Sequence, residues 1–202
     1  MKFSPQQDEA LKAVSRWLNE GRKPLFRLFG YAGTGKTTLA RYFAEHVDGS
    51  VQFAAFTGKA AQVLRSKGAT NARTIHSLIY RPRGEEAVED ETTGKTSMSP
   101  TFSLNRQSPI SKAKLVVVDE CSMVDEQLGR DLMSFGTPIL VLGDPAQLPP
   151  ITGGGFFTEH EPDHLLTEVH RQARDNPILS LALDVREGRE IAFGDYGEAR
   201  VI

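Results

Sequence analysis

The sequence predicts an α/β fold, a doubly wound parallel sheet with helices on both faces, and three observations carry that prediction. Short apolar runs at residues 25–29, 51–56, 115–118 and 139–142 do not alternate with polar residues, as expected of strands buried on both sides. Helix-like patterns follow the first three runs, the alternation that joins parallel strands through crossovers. A glycine-rich, phosphate-binding pattern stands between the first run and its helix. In such sheets ligands sit beyond the carboxyl ends of the strands, so chemistry is expected in the loops that follow these runs.

The 202 residues, 39% hydrophobic and 25% charged, suffice for one large domain with its own core. No apolar run approaches the roughly 20 residues that span a bilayer, and the N-terminus lacks the apolar stretch of a signal peptide. A cytoplasmic protein without a membrane partner is therefore expected. The single cysteine, Cys121, excludes an internal disulfide and fits a reducing compartment.

The net charge of −2 hides a division. Residues 1–83 carry 14 Lys/Arg against 5 Asp/Glu, whereas residues 84–202 carry 10 against 21. Within the first part, residues 57–83 hold six basic residues and no acidic one, a stretch able to hold a phosphate backbone or simply to form a solvated basic face.

The elements follow in order. Ser4-Pro5-Gln6-Gln7 offers an N-cap serine, proline at the first helical position and glutamine at the third, the composition of a capping box. Gly30-Tyr31-Ala32-Gly33-Thr34-Gly35-Lys36-Thr37 matches G-x-x-x-x-G-K-[ST], with a strand before it and a helix after it. Its glycines let backbone N–H groups face phosphate oxygens, and the helix adds the positive end of its dipole. Gly30, Gly33, Thr34, Gly35, Lys36, Thr37 and Thr38 are thus expected at a nucleotide. Lys36 is expected to bridge the β- and γ-phosphates, and the Thr37 hydroxyl to bind Mg²⁺.

The run at 115–118 delivers Asp119 and Glu120 at its carboxyl end. Asp119 is placed to hold Mg²⁺ and Glu120 to orient or deprotonate the water that attacks a γ-phosphate. Residues 82–112 are polar and acid-rich, and are expected to form an inserted hairpin turning near Gly94 or a flexible loop. A last helix is expected over about 176–187, stopped by Gly188.

At Gly143-Asp144-Pro145-Ala146-Gln147-Leu148-Pro149-Pro150 the chain resembles motif III of superfamily 1 helicases. The resemblance extends in order over Phe3-Ser4-Pro5-Gln6-Gln7, the P-loop, Phe56-Thr57-Gly58-Lys59-Ala60-Ala61, Thr74-Ile75-His76-Ser77-Leu78, Asp119-Glu120-Cys121-Ser122 and Leu166-Thr167-Glu168-Val169-His170-Arg171-Gln172. The Thr-Gly-Lys-Ala-Ala and Thr-Ile-His elements, with Phe156-Phe157-Thr158 and Asp184-Val185-Arg186, look most like the RecD and Dda branch, whose members move 5′ to 3′ on single-stranded DNA.

The resemblance implies an ATP-binding, RecA-like lobe over 1–81 and 113–202, interrupted by the insertion at 82–112. It implies Gln7 at the adenine, Gln147 sensing the γ-phosphate and Arg171 stabilising transition-state charge. It also implies single-stranded DNA at Thr57, Lys59, Thr74 and His76, all within the acid-free basic stretch. Phe102 becomes a candidate strand-separating wedge in the insertion. The later motifs of a second RecA-like lobe are absent from these 202 residues, so such a lobe is an expected partner.

Two other readings compete. A DNA-independent P-loop ATPase or kinase would use Lys36 and Asp119 alike but gives no reason for the Gly-Lys-Ala-Ala and Gln-Leu-Pro-Pro loops. A catalytically weak DNA-binding module would keep the basic stretch without needing Asp119-Glu120.

Overall fold

The computed structural model describes residues 3–89, 96–147, 154–169, 177–186, 188–197 and 199–201. Helix α1 (Pro5–Glu20) opens with the expected capping box. The Ser4 side chain accepts from Gln7 N–H, the Gln7 side chain accepts from Ser4 N–H, and Pro5 takes the first helical position. There follow β1 (Leu25–Gly30), α2 (Lys36–Glu45), β2 (Val51–Ala55), α3 (Gly58–Ser66), β3 (Arg73–Thr74), α4 (Ile75–Ile79), β4 (Tyr80–Glu89) and β5 (Thr96–Leu104). The second half contributes β6 (Leu115–Asp119), α5 (Glu126–Met133), β7 (Ile139–Gly143), β8 (His164–Leu166), α6 (Pro177–Arg186), β9 (Gly194–Tyr196) and β10 (Ala199–Val201).

Six strands form one sheet in the order β3-β2-β6-β7-β1-β8, every pair parallel. Alternation along each strand divides its apolar residues between two faces. Phe26, Leu28, Leu115, Val117, Leu140 and Leu142 meet Trp17, Leu39 and Leu64 of α1, α2 and α3. Phe29, Val116, Val118, Ile139 and Val141 meet Ile75 and Leu78 of α4 and Leu128 and Leu132 of α5. Burying one such side chain contributes about 1.5–3 kcal/mol, and this, not helix propensity, holds a five-residue helix such as α4 in place.

The four expected strands are present to within a residue at each end. Strands β3 and β8, two and three residues long, are too short to imprint a pattern and extend the sheet at its two edges. The β9–β10 hairpin is likewise additional.

The insertion contains a two-stranded antiparallel hairpin, β4 with β5, in register from Tyr80 opposite Leu104 to Glu89 opposite Thr96. It begins two residues before the expected boundary, and the turn expected near Gly94 lies outside the described residues. Residues 105–112 return to the main body instead of extending the hairpin. Ile110 is fully buried, and Thr137 Oγ1 donates to its carbonyl at 2.7 Å. Phe102 pairs with Pro82 near the Tyr80–Leu104 end of the hairpin, and its ring meets His76 of α4.

Helix α6 falls within the expected 176–187 and Gly188 follows with φ 68°; Asn176 and Glu187 lie outside the described residues. Among the described residues no helix is long and apolar enough to cross a membrane.

Candidate active site

Strands β6, β7 and β1 are neighbours, so the loops after their carboxyl ends converge. The loop after β1 is shaped by its glycines: Gly33 and Gly35 take φ 79° and 82°, conformations that cost other residues dearly. Gly30 serves a different need, because a Cβ there would stand 2.7 Å from both Cβ and the carbonyl oxygen of Leu166. Helix α2 starts at Lys36 directly after the left-handed Gly35, which offers no side-chain cap, so the positive end of its dipole meets the loop.

The Lys36 ammonium donates to the carbonyls of Gly30 at 2.6 Å and Tyr31 at 3.0 Å, lying over the loop it belongs to. Thr34 is buried and braces the loop, its hydroxyl donating to Tyr31 O at 2.8 Å. Gln7 is buried as well: its amide nitrogen donates to Thr34 O at 3.0 Å and its amide oxygen accepts from Ser4 N–H at 3.2 Å. Both ends of that amide are engaged inside the protein, so in this conformation Gln7 caps α1 and props the loop. Beside it, Gln6 accepts from the N–H groups of Thr167 and Glu168, tying α1 to the segment after β8.

At the end of β6, Asp119 Oδ2 accepts from the Thr37 hydroxyl at 2.9 Å and Oδ1 from the Glu120 N–H at 3.0 Å. Burial pushes the Asp119 carboxyl above the ordinary carboxylate value, the Thr37 hydrogen bond opposes that rise, and the nearby charge of Glu120 adds to it. Glu120 has φ 54°, the one positive φ outside glycine among the described residues. Such a backbone costs of order 1–3 kcal/mol and turns the chain sharply at the strand end. Cys121 is buried just beyond, its thiol pushed up to about 12, chiefly by burial and then by the charge of Asp119.

After β7, Gln147 Nε2 donates to Glu120 Oε2 at 2.8 Å, and Ser122 Oγ donates to Gln147 Oε1 at 3.2 Å. A cleft of about 290 Å³ is lined by Gly33, Gly35, Lys36, Thr37, Thr38, Asp119, Glu120 and Gln147, together with Ala32, Lys67 and Asp144. The expected residues of the phosphate site therefore meet at one place. Arg171 lies outside the described residues. Asp144 and Ser122 stand inside motifs read from the sequence but were given no role there, and Lys67 was missed. Asp144 follows a buried parallel strand as Asp119 ends one, which is a usable signal. Lys67 arrives from beyond the far end of α3, and no local pattern marks it.

The other candidates share the next part of the same edge. Ala55 of β2 pairs with Asp119 of β6 on one side and with Thr74 of β3 on the other, which sets the two groups of residues at one level of the sheet. Thr57 caps α3 by accepting from Ala60 N–H at 3.1 Å, and Thr74 caps α4 by accepting from Ser77 N–H at 3.2 Å. Thr57, Lys59 and His76 are exposed and Thr74 is half-buried. The His76 ring meets Phe102 edge-on at 4.6 Å and Tyr80 at 4.7 Å, and the Tyr80 hydroxyl donates to Asp131 Oδ2.

The profile of the AAA domain family matches residues 2–202. The chain belongs to that family. This AAA domain is 33% identical over 178 residues to the ATP-dependent RecD2 DNA helicase of Deinococcus radiodurans, a match covering 83% of the chain and 22% of that protein. It is 29% identical over 198 residues to the ATP-dependent DNA helicase dda of Enterobacteria phage T4, covering 91% of the chain and 42% of that protein. Among solved structures it resembles a Bacteroides Pif1 bound to single-stranded DNA, with a TM-score of 0.61 at 22% identity over 95% of the chain and 47% of the other. The AAA domain thus shares the fold of that Pif1 structure and spans less than half the length of those proteins.

Proposed function

We propose that this AAA domain is one of the two RecA-like lobes of a 5′-to-3′ DNA helicase, hydrolysing ATP with Mg²⁺ while holding single-stranded DNA. The observation that carries the reading is the meeting of Lys36, Thr37, Asp119, Glu120 and Gln147 around one cleft, one strand away from the exposed basic edge. Lys36 exchanges its backbone carbonyls for the β- and γ-phosphates, and the N-terminal turn of α2 faces the same anion with the positive end of its dipole.

The donors fit Mg²⁺. A hydroxyl and a carboxylate oxygen 2.9 Å apart face the cleft, and both are the hard ligands this ion prefers. Among the described residues no cluster of three His, Cys, Asp or Glu forms a complete metal cage, as suits an ion completed by phosphates and water. When bound, Mg²⁺ would neutralise charge on the β- and γ-phosphates. Glu120 takes the proton of the attacking water, Gln147 contacts the γ-phosphate, and Arg171 supplies positive charge to the transition state.

On the neighbouring edge, Thr57 and Thr74 offer hydroxyl protons while their oxygens cap α3 and α4. Lys59 adds charge, and His76 offers a ring for stacking. None of these groups reads a base edge, so binding is independent of sequence and weakens with salt. A second RecA-like lobe closes the nucleotide cleft and the DNA groove. The test is ATP turnover with and without a single-stranded oligonucleotide at low salt, by this chain and by a longer one carrying a second lobe. Stimulation by DNA, lost in Lys36→Ala and Glu120→Gln, supports the reading; turnover indifferent to DNA rejects it.

A further inference from the structure

We propose that Ser122 is a positioning residue: it holds Gln147 as a latch on Glu120, and the arrival of a γ-phosphate draws the Gln147 amide nitrogen away and frees the Glu120 carboxylate for water. The proposal rests on the reading of Glu120 as the base of ATP hydrolysis and of Gln147 as a contact to the γ-phosphate, and it assigns Ser122 a task that neither motif explains.

The hydrogen bonds dictate the orientation. An ionised carboxylate only accepts, so the end of the Gln147 amide at 2.8 Å from Glu120 Oε2 is the NH₂ group. The opposite end is then the amide oxygen, which needs a donor, and the Ser122 hydroxyl provides it at 3.2 Å. Ser122 is 4% exposed, so its hydroxyl has no ready supply of water to replace that acceptor.

Local contacts support this pair on both sides. Ser122 lies in the 3-10 turn Cys121–Met123 that follows the left-handed Glu120, and the Cys121 sulfur packs against Gly143, where a Cβ would stand only 2.9 Å from it. Four residues beyond Gly143, the Gln147 backbone is held by its N–H donating to Asp144 O at 3.0 Å, while the buried Asp144 carboxylate accepts from Ala146 N–H. With the Gln147 N–H held by Asp144 and Ser122 held in its turn, the Gln147 NH₂ is the group left to change partner.

A phosphate oxygen, like a carboxylate, only accepts. The same NH₂ can therefore move from Glu120 to a γ-phosphate without turning the amide over, while Ser122 stays on the oxygen as the pivot. In the resting state the base is occupied; with a triphosphate present it is released. ADP, lacking the γ-phosphate, leaves the latch closed. Without Ser122 the amide loses its pivot, and the γ-phosphate is sensed poorly.

The test uses the full chain with Ser122→Ala, Ser122→Thr, Gln147→Ala and the double Ser122→Ala/Gln147→Ala variant, each checked for an unchanged unfolding midpoint. The first readout needs no turnover: the ratio of affinities for a non-hydrolysable ATP analogue over ADP. This ratio should fall in Ser122→Ala, recover in Ser122→Thr, fall in Gln147→Ala and fall no further in the double variant. In turnover, Ser122→Ala should lower kcat about tenfold with little change in KM. An unchanged ratio in Ser122→Ala, or equal effects in the presence and absence of Gln147, overturns the latch. Glu120→Gln separates the two levels. If it keeps wild-type turnover, the reading of Glu120 as base fails and the latch with it; if it abolishes turnover while Ser122→Ala is silent, only the latch fails.

Discussion

The Thr37 hydroxyl donates to Asp119 Oδ2 across 2.9 Å and so joins the first turn of α2 to the last residue of β6. This one bond sets the two oxygens proposed for Mg²⁺ side by side. Thr37→Ala and Asp119→Asn are each expected to lower turnover about a hundredfold or more, since each removes charge-stabilising preorganisation. Titrating a fluorescent nucleotide with and without Mg²⁺ checks the origin of the loss: the benefit of Mg²⁺ should shrink in both variants while metal-free binding persists.

Gly30 is close-packed against β8. A methyl group at 2.7 Å from the Leu166 backbone and side chain forces β1 and β8 apart, so Gly30→Ala should destabilise the fold by about 1–3 kcal/mol. Urea unfolding measures this. A variant as stable as the wild type would mean that β8 moves aside at no cost.

Lys59 stands exposed at the start of α3, on the edge proposed for DNA. Lys59→Ala should weaken binding to single-stranded oligonucleotides of every sequence alike and reduce the slope of log K against log salt by about 1. His76→Ala should weaken binding with less effect on that slope, because a stacked ring is not a counterion. Fluorescence anisotropy over a range of salt concentrations distinguishes the two.

Cys121 is fully buried and its thiol is pushed up to about 12, so no thiolate is available near neutrality. As the single cysteine of the chain it reports unfolding: a thiol reagent should modify none of the native protein at pH 8 and one equivalent in denaturant. Rapid labelling of the native protein would place Cys121 at the surface.

Burial holds the Tyr80 phenol above its ordinary value of 10.0, and the hydrogen bond to Asp131 adds to the rise. The unfolded chain ionises this tyrosine first, so its contribution to stability is complete below pH 10 and declines as the pH climbs above that value. Tyr80→Phe removes the hydrogen bond and with it this decline. Thermal unfolding between pH 8 and 11 should show the gap between wild type and variant narrowing as the pH rises.

Much of this was legible in the sequence for reasons that are local. Residues 25–29, 115–118 and 139–142 announce buried strands because both of their faces are apolar. The capping box at Ser4 and Gln7 and the loop from Gly30 to Thr37 are legible because each is made by residues a few positions apart. Strands β3 and β8 were not, since two or three residues carry no period, and the foot of the hairpin at Phe102 became visible only through its contact with His76.

By itself the sequence determined the class of sheet, the phosphate loop and the two carboxylates at the end of β6, because backbone conformation and residue type within a short window decide them. The tertiary structure alone decided that Gln7 turns inward to Thr34, that Ser122 and Glu120 share the amide of Gln147, and that Ala55 links Asp119 to Thr74. Those partners are 19 to 64 residues apart, apart from the two that flank Cys121. Only the packing of parallel strands fixes such pairings, because a strand's own residues say which faces are buried but not which strand lies beside it.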